Sequence, residues 1–229
     1  MKRLDEIISL VSSQKGIIDV GTDHGYIPVH FALTGYTGRL IASDINAGPL
    51  SAAKKIAKEH AVEEKINFTL ANGLSQCSAD EVDTIIIAGM GGDLICSILD
   101  EAEWTMNSAY QLILQPMTKA EILRFWLSSN GYAIEEERLA YENNRVFKVL
   151  SARYSGKNSS LTDAELFTGA LALTKDLPLF EKMLALETER MEKKVHGLVS
   201  SARTPGEEDL YKNILHQMTD MRTDHDKSK

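Results

Sequence analysis

Acidic residues and glycines between positions 16 and 25 have the types and spacing of a site for a charged small ligand. The β-branched residues of Gly16-Ile-Ile-Asp-Val-Gly-Thr-Asp-His-Gly25 predict a buried strand that ends in a turn. Gly21 allows that turn to approach a ligand, and the following helix offers free N–H groups. Asp19 lies inside the strand, and Asp23 replaces the second glycine of G-x-G-x-x-G. The Asp19 carboxylate suits a cationic ligand such as S-adenosylmethionine, and the Asp23 carboxylate stands where the pyrophosphate of NAD would approach and repels it.

Asp44 is a second acidic residue at a diagnostic distance. It closes the next predicted strand, nineteen residues after Gly25. At that spacing an acidic residue reaches the ribose hydroxyls of an adenosine cofactor. The glycine turn alone is equally compatible with any strand–turn–helix unit, so Asp44 is what favours an adenosine site.

Three later loops follow predicted strands and therefore belong to the same edge of a parallel sheet. Asn72 is a candidate for the adenine ring, although Asn-Gly is equally a plain turn. The glycines of Ala88-Gly-Met-Gly-Gly92 predict bare backbone facing the methyl-donor pocket, because excess glycine costs about 1 kcal/mol per helical position. Gln115, before Pro116, either presents its amide to a base edge or is an exposed turn residue.

The chemistry-bearing residues are positioned by an alternation of strands and helices. The predicted elements are a helix over 3–13, strands over 16–20, 38–43, 66–70, 83–88 and 110–115, helices over about 25–34, 47–60, 91–99 and 118–129, and a strand pair near 132–140 and 145–153. This pattern predicts a Rossmann-like α/β fold: a mostly parallel sheet with helices on both faces and an antiparallel hairpin at one edge.

A polar stretch over 155–162 predicts a domain boundary. We therefore expect a ligand-binding domain over 1–155, a helical coiled-coil hairpin over 160–221 and a disordered tail over 222–229. A capping box, Thr162-Asp-Ala-Glu165, opens the second domain. Its basic residues Arg190, Lys193, Lys194 and Arg203 either meet a phosphate backbone or, among interleaved glutamates, form a solvated helix face.

Composition limits the class of protein. A net charge of −8 argues against a generally basic nucleic-acid binder, without excluding a local basic face. Two cysteines are too few for a disulfide framework, and neither they nor the six histidines have metal-ligand spacing, so no metal is expected. No apolar run approaches the length of about 20 residues that spans a membrane. We expect a cytoplasmic protein, with a monomer favoured over an oligomer.

The chain resembles the bacterial tRNA (adenine-22-N1)-methyltransferase family. The resemblance rests on Asp19-Val-Gly-Thr-Asp-His-Gly-Tyr-Ile-Pro28, Ala42-Ser-Asp-Ile-Asn46, Asn72-Gly-Leu74, Ala88-Gly-Met-Gly-Gly92 and Leu114-Gln-Pro-Met117. These motifs span the first domain, and the helical hairpin matches the family's C-terminal part. The family usually has asparagine where Met117 stands.

The resemblance implies methyl transfer from S-adenosylmethionine to N1 of an adenine in the tRNA D-arm, giving 1-methyladenosine. N1 carries a lone pair, so catalysis is positioning rather than proton removal, and the base must leave its stack. Asp23 either favours the cationic product or orients the methionine end of the cofactor, and Tyr26 is the candidate for stacking. The implied pocket comprises Asp19, Gly21, His24, Gly25 and Tyr26 for methionine, Asp44, Ile45 and Asn46 for ribose, Asn72, Gly73 and Leu74 for adenine, and Gly89, Met90 and Gly91 beside the methyl group. Gln115, Pro116, Arg190, Lys193, Lys194 and Arg203 are the candidates for substrate binding.

Two other functions stay open from the sequence. One is a methyltransferase of small molecules or proteins, in which the helical hairpin would be a lid or dimer element. The other is a non-catalytic module that binds S-adenosylmethionine or another nucleotide.

Overall fold

The computed structural model describes residues 2–170, 177–201 and 206–227. The helices are α1 (Lys2–Leu10), α2 (Tyr26–Leu33), α3 (Ala47–Glu59), α4 (Gly92–Asp100), α5 (Ala120–Ser129), α6 (Asp163–Thr168), α7 (Leu177–Ser201) and α8 (Glu207–Lys227). The strands are β1 (Gly16–Val20), β2 (Arg39–Asp44), β3 (Asn67–Leu70), β4 (Thr84–Gly91), β5 (Gln111–Thr118), β6 (Tyr132–Glu142) and β7 (Arg145–Tyr154). The predicted alternation of elements is confirmed.

The strands form one seven-stranded sheet in the order β3-β2-β1-β4-β5-β7-β6. Strands β1 to β5 pair in parallel, whereas β7 pairs antiparallel with both β5 and β6. The predicted edge hairpin is therefore confirmed. Because the strand order reverses between β1 and β4, their carboxyl ends open a crevice at the point where such sheets bind ligands.

Both faces of the sheet are buried, which explains the continuous apolar runs of its central strands. On one face, Ile85 and Ile87 of β4 pack in a cluster with residues of α4 and α5. On the other, Ile17 and Ile86 pack with residues of α1, α2 and α3. The predicted first helix thus closes one face of the sheet.

Strands β4 and β5 run further than the sequence predicted. Both continue past their apolar cores, with Met90 paired to Pro116 and Gly91 to Thr118 across register shifts. The prediction that Gly89–Gly91 forms a loop is therefore wrong. Pairing continues because an irregular register accommodates the proline, which has no N–H to donate to a regular ladder.

Helix α7 packs on the β6–β7 hairpin, and α6 and α8 join it in one apolar cluster that includes Leu139 of β6. The predicted capping box at Thr162 is present, with Thr162 Oγ1 accepting from Glu165 N at 3.2 Å. The α7 and α8 helices lie antiparallel around a cluster that contains Phe180, Met191 and Ile214. The prediction of a disordered tail from residue 222 is wrong as far as Lys227, because α8 continues to that residue.

Buried charges join these helices to the sheet. Arg124 of α5 and Glu137 of β6 form a two-pronged ion pair, with Nε–Oε1 at 2.9 Å and Nη2–Oε2 at 2.7 Å. Arg124 also donates to Leu166 O of α6 at 2.7 Å. Lys148 of β7 donates to Phe167 O at 2.8 Å and pairs with Glu187 of α7 at 2.7 Å. Burial lowers the pKa of Lys148, and Glu187 opposes that shift.

Candidate cofactor site

A cavity of about 780 Å³ opens at the carboxyl ends of β1, β2 and β4. Its lining comes from the turn after β1, the end of β2, the loop after β3, the end of β4 and the start of α1. The lining residues are Arg3, Leu4, Asp19, Val20, Gly21, Thr22, Asp23, His24, Tyr26, Ile27, Asp44, Ile45, Asn46, Pro49, Ala71, Asn72, Gly73, Ala88, Gly89, Met90, Leu94, Ile98 and Met117. A drug-sized ligand or cofactor fits a cavity of this volume.

Asp19 places a carboxylate at the inner wall of the cavity. Only 3% of the residue is exposed, and its Oδ2 accepts from Thr22 Oγ1 at 2.6 Å. Burial is the main cause that raises the pKa of Asp19 to about 6; the Thr22 hydrogen bond opposes the shift and the nearby Asp44 adds to it. A cation bound in the cavity would favour the ionised form.

Asp44 ends β2 beside the turn of β1. Its Oδ1 accepts from Asn46 N at 2.8 Å, and Oδ2 has no hydrogen bond to the described residues. The neighbouring Ser43 O accepts from Gly21 N at 2.8 Å and from Thr22 N at 3.0 Å, which fixes the turn against β2. Asp44 therefore offers one oxygen to a ligand from a position that is held by the other.

Two glycines give the ligand access to bare backbone. Gly21 has a φ of 72°, and a Cβ there would collide with Met90 Cε. Gly89 has a φ of 80° and faces open space, with no atom within 4 Å of where a Cβ would be. Both conformations favour glycine; at Gly89 the space of a missing side chain is open, whereas at Gly21 Met90 occupies it. These features fit an adenosine ligand with a cationic end.

Asp23, His24 and Tyr26 form the outer rim of the cavity. The side chains of Asp23 and His24 are 71% and 50% exposed, with His24 Nε2 at 3.7 Å from Asp23 Oδ2. Tyr26 is 45% exposed, and its ring centroid lies 5.5 Å from that of His24. The rim thus combines a carboxylate with an accessible aromatic face.

Most of the residues predicted for a cofactor line this one cavity. The exceptions are Gly25, which packs against Ala53, Leu74, which is buried in the core, and Gly91, which lies beside Asp93. Asn72 and Gly73, which precede Leu74 in the loop after β3, do line the cavity.

Gln115 is placed differently from the prediction. It is completely buried, with Oε1 accepting from Gly89 N at 3.2 Å and Nε2 donating to Pro116 O at 2.9 Å. The prediction that its amide reads a base edge is corrected, because the extension of β5 turns this side chain into the sheet. Gln115 instead fixes the backbone of Gly89. Pro116 is outside the cavity lining, whereas the next residue, Met117, belongs to it.

The predicted basic cluster lies on α7, away from the cavity lining. Arg190 pairs with Glu187 at 3.1 Å and with Glu121 of α5 at 3.8 Å. Lys193 pairs with Glu189 at 2.6 Å. Lys194 contacts Tyr211 of α8. Arg203 is outside the described residues.

The sequence did not indicate Arg3, Leu4, Leu94, Ile98 or Met117 as cavity residues. Arg3 and Leu4 reach the cavity because α1 packs across the sheet. Leu94 and Ile98 are one helical turn apart on α4, a spacing that periodicity could have revealed.

The part of the chain that the structure describes contains neither a candidate metal site nor a candidate membrane-spanning helix. It contains no group of three or more histidine, cysteine, aspartate or glutamate residues suited to a metal. None of its helices is long and apolar enough to cross a membrane.

Comparisons with known proteins identify the family of the chain. The family model described as "Methyltransferase domain" matches residues 1–150. A Bacillus subtilis tRNA (adenine(22)-N(1))-methyltransferase is 31% identical over 74% of this chain and 71% of its own. The crystal structure of the Bacillus subtilis tRNA methyltransferase TrmK superposes with a TM-score of 0.76 at 26% identity, over 99% of this chain and 97% of that chain. A Streptococcus pneumoniae protein solved in complex with S-adenosyl-L-methionine superposes with a TM-score of 0.77 at 31% identity, over 94% and 99% of the two chains.

Proposed function

We propose, from the premise that this chain belongs to the tRNA (adenine(22)-N(1))-methyltransferase family, that it methylates N1 of adenine 22 in the D-arm of tRNA. The methyl donor is S-adenosylmethionine, and the product is 1-methyladenosine. The observation that carries this proposal is the acid-lined cavity at the β1/β4 crevice, with Asp19 and Asp44 on its wall. Asp19 suits the cationic end of an adenosyl sulfonium, and Asp44 suits the ribose hydroxyls of its adenosine.

Different residues of the cavity would contact different parts of the cofactor. Asp44 Oδ2 would accept from a ribose hydroxyl, with Ile45 and Asn46 beside it. Asn72 and Gly73 would border the adenine. Asp19 would face the ammonium group, and the bare backbone at Gly21 and Gly89 would face the methionine chain and the methyl group.

The chemistry asks for positioning more than for proton transfer. Bound S-adenosylmethionine supplies an electrophilic methyl group whose C–S bond breaks as the N1 lone pair attacks. The adenine gains a positive charge as its N1–C bond forms, and the exposed Asp23 carboxylate at the rim would stabilise that charge. Tyr26 would stack on the extruded base. Most of the catalytic effect then comes from holding N1 in line with the methyl carbon.

Cofactor affinity is expected to fall in acid through Asp19. The pKa of Asp19 is about 6 in the free protein. The ionised form, which pairs with an ammonium, is present above that pH and is lost as the pH falls through it. We expect affinity for S-adenosylmethionine to fall by up to about tenfold per pH unit below the pKa, measured by calorimetry.

Asp19→Asn is the control for that measurement. Its affinity should be lower at neutral pH and nearly constant across the same range, which also separates Asp19 from the neighbouring His24. The stability of the cofactor-free protein should change with pH in the opposite direction to the affinity. Because the pKa of Asp19 is raised in the folded state, its contribution to the free energy of unfolding falls as the pH rises towards 6. A wild-type affinity that is flat across this range would contradict the assignment of Asp19.

The substrate's phosphate backbone is proposed to meet the basic residues of α7. The double variant Lys193→Glu/Lys194→Glu should weaken tRNA binding by about tenfold or more and reduce its salt dependence, without changing affinity for S-adenosylmethionine. Filter binding at several salt concentrations measures the tRNA affinity and its salt dependence. Lys55→Glu/Lys58→Glu on α3 is the matched control, with the same change in net charge. Equal losses in the two variants would mean that only overall charge matters.

Tritiated S-adenosylmethionine and unmodified tRNA, followed by nucleoside analysis, test the function as a whole. We expect 1-methyladenosine confined to the D-arm. Cofactor binding without incorporation into tRNA would favour a small-molecule or protein acceptor. Absence of cofactor binding would refute the assignment of the cavity.

Two further properties are proposed with this function. The α7–α8 hairpin buries its own apolar residues around Phe180, Met191 and Ile214, which supports action as a monomer. The tRNA substrate supports action in the cytoplasm.

A further inference from the structure

One positively charged side chain, that of Arg3, lines the cavity together with several carboxylates. The carboxylates are those of Asp19, Asp23 and Asp44. Among the described residues that line the cavity, Arg3 is the only arginine or lysine. Helix α1, which precedes β1 in the chain, brings Arg3 to this place from outside the turn that carries the other rim residues. An isolated positive charge at this place needs an explanation, because a purely cationic ligand would be repelled by it.

Uncharged groups hold the Arg3 guanidinium in position. Its Nη1 lies 3.2 Å from Met117 Sδ, and its Cζ lies 5.2 Å from the centroid of the Phe147 ring. No carboxylate of the described residues lies within 4.0 Å of it. By contrast, the arginines that pair with glutamates are Arg39, Arg124, Arg138, Arg153 and Arg190. Arg3 is therefore oriented by packing while its charge stays available.

We propose that Arg3 is an anion-binding residue of the active cavity, receiving the oxygens of a carboxylate or phosphate group on a bound molecule. The planar guanidinium binds both groups through paired N–H donors, and contact with an aromatic face leaves those donors free at its edge. This inference rests on the proposed function, which offers two sources of such an anion. One is the carboxylate at the methionine end of the cofactor, and the other is a phosphate that flanks the target adenosine.

The location of Arg3 agrees with either source. Its sulfur contact, Met117, lies in β5 two residues after Gln115, which holds Gly89 at the cavity wall. An anion next to Arg3 would thus lie beside the place where the methyl group and the base meet. Fixing it there would restrict the motion of the reacting groups and raise the rate of transfer.

Arg3→Gln tests the proposal, with Lys2→Gln as the matched control. Lys2 is the exposed neighbour on the same helix and lies outside the cavity lining. Arg3→Lys keeps the charge and loses the paired donors. Calorimetry with S-adenosylhomocysteine and with 5′-methylthioadenosine, which lacks the amino-acid end, forms the first arm. Filter binding and methylation of tRNA form the second, and thermal denaturation shows that each variant is folded.

The expected result is a loss of about tenfold in one arm for Arg3→Gln, with partial recovery in Arg3→Lys and no change in Lys2→Gln. Weaker binding of S-adenosylhomocysteine with unchanged binding of 5′-methylthioadenosine identifies the cofactor carboxylate. Weaker tRNA binding with a smaller salt dependence, at constant cofactor affinity, identifies a phosphate.

Arg3→Gln values equal to those of Lys2→Gln in both arms would overturn the proposal. Equal weakening of both adenosine ligands would also overturn it, because that pattern indicates a distorted wall rather than a lost anion contact. If the wild-type protein binds the cofactor but does not methylate tRNA, the proposed function fails, and the first arm alone then decides the role of Arg3.

Discussion

Replacing Arg124 by methionine should lower the free energy of unfolding by about 3–5 kcal/mol, because Glu137 would keep a buried charge without its counter-ion. Neither partner is exposed to solvent by more than 1%. The substitution also removes the hydrogen bond to Leu166 O, which ties α6 to α5. Urea denaturation followed by circular dichroism measures the change.

Two further variants test this explanation. Arg124→Met/Glu137→Met removes both charges and should recover most of the lost stability, since no uncompensated charge remains. Arg153→Met removes a pair with Glu135 whose side chains are 29% and 48% exposed, and should cost less than about 1 kcal/mol. A double variant that is as unstable as the single one would show that the hydrogen bonds and packing of Arg124 matter more than the charge.

The second large effect is expected on cofactor affinity. Asp44→Asn should weaken binding of S-adenosylmethionine by about 10- to 100-fold, because a hydrogen bond to a charged acceptor contributes about 1.5–3 kcal/mol. The amide can keep the hydrogen bond from Asn46 N that positions the side chain. Calorimetry at neutral pH measures the affinity.

Asp80→Asn provides the control for a change of one charge. Asp80 is exposed in the loop between β3 and β4 and does not line the cavity. Its affinity for S-adenosylmethionine should be that of the wild type. An unchanged affinity in Asp44→Asn would refute the contact between Asp44 and the ribose.

The cofactor wall was predictable because its chemistry is local in sequence. Asp19 and Asp44 each lie at or near the end of an apolar strand, and parallel pairing brings the ends of neighbouring strands together. The strand–turn–helix pattern therefore predicted both the fold and the inner wall. Gly21 could be identified for the same reason, since its turn is defined by the residues on either side.

The remaining features depend on packing between distant segments. Arg3 reaches the cavity through the docking of α1 on the sheet, which no local pattern encodes. Gln115 is buried because β5 continues beyond its apolar core alongside β4. The pairing of Arg124 with Glu137 joins a helix to the next strand, and a charged residue in an amphipathic segment ordinarily predicts exposure.

The position of β6 bears on how the protein behaves when concentrated. It is the longest strand, with 11 residues, and it forms an edge of the sheet whose unpaired backbone groups could accept a strand from another copy. A register shift between Ile134 and Glu136 interrupts that edge, and charged side chains at Glu135, Glu136 and Arg138 follow it. Because the strand bulges at this shift, the edge of a second copy cannot pair with it in one continuous ladder. Fibre-like stacking through this strand is thereby opposed, and the protein can remain dispersed despite its long open edge.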